Sequence, residues 1–81
     1  PFNPVTTIRY DLPLGTDVHL VVFDILGREV KTLVNEKQEA GFKSVKWNGR
    51  NDMGQTVSAG MYFYRIHAGS FSKVQKMVLL K

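Results

Sequence analysis

Nowhere in this chain do the apolar residues hold a helical stripe over eleven or more positions; they alternate, or run in blocks of four to eight, between turn formers. Alternation at a period of two marks a strand with one face in a core, so the pattern predicts an all-β fold. Thr6–Leu12 sets Ile8, Tyr10 and Leu12 against Thr7, Arg9 and Asp11, and Pro13 and Gly15 end it. Asp17–Asp24 sets Val18, Leu20 and Val22 against Val21 and Phe23, as expected of a central strand covered on both sides. Glu29–Val34 returns, and Asn35–Gly41, polar and ending in glycine, reads as a loop with room for one helical turn. Phe42–Trp47 is expected to bury Val45 and Trp47. Met61–Ala68 places Tyr62, Tyr64 and Ile66 opposite Phe63. The last run, Phe71–Leu80, does not alternate cleanly, and a bulge near Gln75 and Lys76 would bring Val74, Met77 and Leu79 to one side.

Six to seven short strands at intervals of about 8–12 residues argue for an immunoglobulin-like β-sandwich of antiparallel strands. The connections carry their own chemistry. In Asp24–Arg28 the aspartate can accept from backbone N–H groups two residues on, and Gly27 can take the positive φ that closes a hairpin. Asn48–Gly54 is a continuous run of turn formers ending in Gly54, with Val57 a short apolar point after it. Trp47 is the expected core anchor. Tyr62, just past the turn at Gly60, suits a tyrosine corner, its hydroxyl bonded to nearby backbone.

With 81 residues the chain is one domain, residues 1–81, and a fold this small buries only roughly 60–65% of its unfolded surface. Cysteine is absent, so packing alone must hold it and thiolate metal sites are excluded. The longest apolar runs, Leu20–Phe23 and Met77–Leu80, fall far short of the ~18 residues of a spanning helix, so no stable membrane insertion is expected. Its opening, Pro1-Phe2-Asn3-Pro4, has no basic or apolar region of a signal peptide, which a longer parent would have to carry. Charge is divided unevenly: residues 1–40 hold four Lys/Arg against six Asp/Glu, and residues 41–81 seven against one, or −2 and +6. Such a bias suits an acidic partner. Aromatic interleaving is too weak for a nucleic-acid binder, and none is expected.

Catalysis is not expected, since no nucleophile elbow, phosphate loop, zinc-protease motif or pair of carboxylates in a rigid pocket is present. His19 and His67 fall in strands without carboxylates beside them and read as surface or edge residues. The oxygens of Asn48–Gly54 could in principle hold Ca²⁺, but Arg50 stands where a ligand is needed and Asp52 is its lone carboxylate; a self-bonded turn is expected, with no cofactor.

The order of motifs resembles a known family. Pro1–Ile8 followed by Tyr10-Asp11-Leu12-Pro13, the hairpin Val18–Val30, the turn Trp47–Gly54, the strand Gly60–Arg65 and the closing Lys76–Lys81 are together similar to the type A C-terminal sorting domains of the type IX (Por) secretion system of Bacteroidetes and related bacteria. The same core motifs occur in the Ig-like domain of flagellar hook-capping proteins. The resemblance implies a non-catalytic module at the end of a longer exported protein, secreted or held at the cell surface after crossing the periplasm. Its implied partners are the outer-membrane shuttle and sortase-like peptidase of that system, with a covalently linked N-terminal cargo domain. Under that reading the recognition residues are Gly60, Tyr62, Lys73, Lys76 and Lys81, the lysines lying on a terminal edge strand open to strand addition. Gly27, Trp47 and Gly54 are structural. The alternative is an Ig-like or fibronectin-like spacer, or a carbohydrate-binding accessory module of a secreted enzyme, which would need Tyr10, Trp47, Tyr62 and Tyr64 in a flat exposed row.

Overall fold

The computed structural model describes residues 5–80, and they form six antiparallel strands in two sheets. The strands are β1 Thr6–Leu12, β2 Thr16–Phe23, β3 Glu29–Gln38, β4 Gly41–Trp47, β5 Gly60–Ala68 and β6 Phe71–Leu79. β1 and β4 make the smaller sheet, in register from Thr6 opposite Trp47 to Leu12 opposite Gly41. The larger sheet runs β3-β2-β5-β6. The immunoglobulin-like sandwich is therefore present, with six strands. The opening Pro1–Pro4 and the closing Lys81 lie outside the described residues.

Alternation fills the space between the sheets. Ile8 and Leu12 of β1, Val18 and Leu20 of β2, Val34 and Ile66 make one buried cluster. Val22, Trp47, Tyr62 and Leu79 make a second, and the half-buried Leu33, Tyr64 and Met77 pack against both. Each cluster joins residues far apart in sequence, as a sandwich without disulfides requires.

Three sequence expectations are corrected. Asn35–Gly41 is not a loop with a helical turn: β3 continues to Gln38, and the reversal is confined to Glu39 and Ala40. Asn35, Glu36, Lys37 and Gln38 pair with His19, Val18, Asp17 and Thr16, so backbone pairing holds a stretch too polar to show itself by hydrophobicity. Secondly, β6 has no bulge. It pairs with β5 residue for residue from Ala68 opposite Phe71 to Gly60 opposite Leu79, which turns Met77 and Leu79 inward and leaves Val74 60% exposed on the other face. The irregularities lie in β3 instead. Its register with β2 slips at Leu33 and again at Val30, and both extra residues pack onto the core. Thirdly, β2 is central but not layered on both sides. Val21, on the outer face, is 1% exposed with no second sheet above it among the described residues; its register neighbours are Thr32 and Arg65.

Candidate functional site

Two turns and a corner fix the frame of the site. At the β2–β3 hairpin, Asp24 Oδ1 accepts from the backbone N–H groups of Leu26 at 2.9 Å and Arg28 at 3.0 Å, while its Oδ2 takes Arg28 Nε at 2.8 Å. Gly27 has φ 82°, which an L side chain rarely adopts, and its N–H closes on the Asp24 carbonyl at 3.0 Å. These donors, the Arg28 N–H first, hold the Asp24 carboxyl below its ordinary value against some desolvation.

The corner closes the other end of the chain's second half. Gly60 begins β5, and two residues on Tyr62 is buried, its hydroxyl donating to the Ser58 carbonyl at 2.6 Å. Its ring meets Trp47 edge-on, with centroids 5.1 Å apart and planes at 70°. The Trp47 indole N–H donates to the Arg50 carbonyl at 2.9 Å, so both aromatics satisfy their polar ends on backbone.

The Asn48–Gly54 segment is bonded to itself and to β3. Asn51 Oδ1 accepts from the N–H groups of Met53 and Gln55, Gly54 N–H donates to the Asn51 carbonyl, and Arg50 Nη1 donates to the Gly54 carbonyl. Asp52 donates its N–H to the Val30 carbonyl at 3.0 Å and accepts from Thr32 N–H at 3.1 Å. The tie to β3 was not foreseen from sequence, because a bulge at Val30 is what brings that carbonyl to the loop.

The aromatic row needed for a carbohydrate platform does not form. Trp47 and Tyr62 are in the core, and Tyr10 and Tyr64 are half-buried against it. The Tyr10 hydroxyl donates to Gln38 Oε1 at 2.6 Å; burial pushes its phenol up, the Gln38 bond opposes and the Glu36 charge adds. His19 and His67 stand opposite each other on the outer face, His67 exposed and His19 half-buried.

β6, like β3 at the opposite end of its sheet, is an open edge among the described residues. Within the described residues it pairs with β5 on one side and with nothing on the other, over Phe71–Leu79. Every residue from Phe71 to Lys76 is exposed: the inner-side Phe71, Lys73 and Gln75 because the two-stranded sheet is too narrow to cover all four strands, and Ser72, Val74 and Lys76 because no layer of the described residues lies on the outer face. Lys73, opposite Ile66, lies on the inner side and Lys76, opposite Phe63, on the outer, so the two cations flank one row of unpaired backbone groups from opposite faces. Of the expected recognition residues, Lys73 and Lys76 are on this edge, Gly60 and Tyr62 sit in the corner behind it, and Lys81 lies outside the described residues.

Residues 5–71 match the FlgD Ig-like domain family. The chain belongs to that family. Among solved structures, FlgD from P. aeruginosa aligns with TM-score 0.72 and 22% identity over 93% of this chain and 59% of its own. Dimeric latent PorU from Porphyromonas gingivalis aligns at TM-score 0.69 and 20% identity over 96% of this chain and 8% of its own. PorZ from the same organism, described as an essential bacterial surface component of the type-IX secretion system, gives TM-score 0.58 and 21% identity over 93% and 11%. These likenesses establish the fold of this FlgD Ig-like domain, which spans less than two thirds of each of those chains. Among curated proteins nothing matches it.

Proposed function

We propose that this FlgD Ig-like domain is a non-catalytic C-terminal sorting domain of type A, carrying an N-terminal cargo across the outer membrane by the type IX secretion system. Its partners would be the outer-membrane shuttle and sortase-like peptidase of that system, and its destination the medium or the cell surface. The order of motifs along the chain supports the reading, as does the likeness of fold to PorU and PorZ. The observation that carries it is the β6 edge: nine residues long, unpaired on its outer side among the described residues, and bearing Lys73 and Lys76 with no acid.

A signal of this kind is a folded surface that another protein reads. Unpaired N–H and C=O groups give a partner strand its ladder, and the flanking lysines steer an acidic partner and exclude casual pairing. Gly60 and Tyr62 act behind the edge, setting where β5 begins and, opposite it, where β6 ends.

The test is export. Residues 1–81 fused to the C-terminus of a periplasm-targeted fluorescent reporter should bring it to the surface or medium in a type IX-competent bacterium and not in a strain lacking the pore. Lys76→Glu with Lys81→Glu should abolish export and leave the thermal transition in place. Retention of the intact, folded fusion in both strains would sink the sorting role and favour a spacer module of a larger assembly.

A further inference from the structure

The outer face of the β3-β2-β5-β6 sheet is built as a binding surface although no layer of the described residues lies on it. Register places Val21, Arg65 and Val74 in one row and Phe23, Phe63 and Lys76 in the next, with Met61 and Val78 in the row after that. Val74, Val78 and Met61 are 60%, 53% and 43% exposed on this face, with Phe63 and Lys76 in the row between them and His67 and Ser72 in the row beyond Arg65. In its middle lies one cation. The Arg65 guanidinium rests 4.8 Å from the centre of the Phe23 ring, and its Nε is closed off from solvent without an acceptor.

The chain itself shields the Arg65 Nε, so an outside group can pair only with the terminal Nη atoms, and the Arg65 side chain makes neither a hydrogen bond nor an ion pair among the described residues. β5 and β6 contain no Asp or Glu. Glu29, which register sets beside Phe23 on β3, is exposed and unpaired with Arg65. The face therefore presents a ring-stacked arginine beside an apolar row, with Lys76 adding to its positive charge, while the acids of the same face, Asp17 on β2 and Glu29 on β3, make no ion pair with Arg65. Arginine and aromatic groups in such surroundings dominate the energetics of protein interfaces.

We infer that this face docks a protein partner presenting a single carboxylate flanked by apolar side chains, the carboxylate pairing with Arg65 and the apolar groups covering Val74, Val78 and Met61. The complementary charge and the single planar donor select a carboxylate. A second copy placed face to face with its two-fold axis at Arg65 would oppose Arg65 to Arg65, which disfavours a symmetric dimer centred there. The inference is distinct from the sorting role, which uses the unpaired backbone edge of β6, and Lys76 is the residue the two share.

The experiment is an NMR titration of the full 81-residue chain with the blocked pentapeptide acetyl-Val-Leu-Glu-Leu-Val-amide and its Gln counterpart. The Glu peptide should shift the Arg65 Nε–H signal and the amides of Val21, Phe23, Phe63 and Val74, and bind about tenfold tighter than the Gln peptide, equivalent to roughly 1.4 kcal/mol. Arg65→Gln should erase that discrimination with the Trp47 indole signal unmoved, since Arg65 belongs to neither core cluster. Val74→Glu, which sets a carboxylate across the strand from Arg65, should block binding from within. Equal affinity for both peptides, shifts confined to the other face, or no saturable shift would overturn the inference. So would binding to phosphatidylglycerol vesicles in place of the peptides, or self-association through this face in sedimentation, each naming a different occupant.

Discussion

The two faces of the four-stranded sheet come from the same strands and both carry apolar side chains, yet they do different things. On the inner face Val18, Leu20, Val22, Tyr62, Ile66 and Leu79 are each at most 6% exposed, under the β1–β4 pair. On the outer face Val21 alone is buried, Phe23 and Phe63 are half-buried, and Val74 and Val78 stand in solvent. The difference is what lies above. Hydrophobic residues stabilise a fold only to the extent that something removes them from water, so the inner set holds the sandwich together and the outer set is available to a partner. A strand pattern cannot separate the two sets, because an apolar residue at a period of two reads the same whichever layer, if any, covers it.

Substitutions on the inner face sharpen that contrast most. Trp47→Ala removes the largest fully buried side chain together with its bond to the Arg50 carbonyl, and should lower stability by about 3–5 kcal/mol in urea denaturation. Gly49→Ala should follow at about 1–2 kcal/mol by the same measurement, because φ is 73° there and a Cβ would meet Leu79 Cδ2 at 3.3 Å. Tyr62→Phe keeps the ring against Trp47 and orphans the Ser58 carbonyl, for a loss of about 1 kcal/mol in thermal unfolding. On the outer face Val74→Ser should stay within about 0.5 kcal/mol of the parent. A loss there as large as that of Trp47→Ala would erase the distinction between the faces.

The smallest effect belongs to the β2–β3 turn, which touches neither face. Asp24 titrates below its ordinary value in the folded chain, so its contribution is complete above the unfolded carboxyl value and fades as pH falls through the folded one. Following its side-chain carboxyl by NMR should give a midpoint below that of a free aspartate, and Asp24→Asn should lessen the acid sensitivity of the hairpin without moving the midpoint of unfolding at neutral pH by much.

How much was legible in the sequence depended on whether a residue's role was local. The Asp24–Gly27 turn and the Tyr62 hydroxyl on nearby backbone could be read directly, since each rests on partners within about five residues, and the buried side of Phe42–Trp47 showed in its alternation although its core partners are distant. Asn35–Gln38 could not: its pairing with Thr16–His19 joins segments nearly twenty residues apart and uses backbone groups that every residue has. The bulge failed for a related reason. Val74 and Met77 looked as though they should share a face, but nine consecutive pairs with β5 outweigh burying one valine, and the small sheet does not reach Val74 in any case. Of the candidate site, Lys73 and Lys76 were correctly set on the terminal strand, whereas their division between its two faces follows only from an unbroken register. Arg65 gave no signal, because a lone arginine in a strand is unremarked until its neighbours across the sheet are known.

By itself the amino-acid sequence determined the strand class, nearly every strand boundary, the chemistry of the turns and the charge excess of the second half, all of which follow from spacing and from residues close together along the chain. Tertiary structure decided which apolar faces are covered, that β3 carries the bulges, that the β6 edge has a cation on either face, and that the Arg65 side chain lies unpaired on Phe23. The physical reason is that burial and pairing are relations between distant segments: a side chain's pattern states that it can be buried, and only the arrangement of sheets states by what.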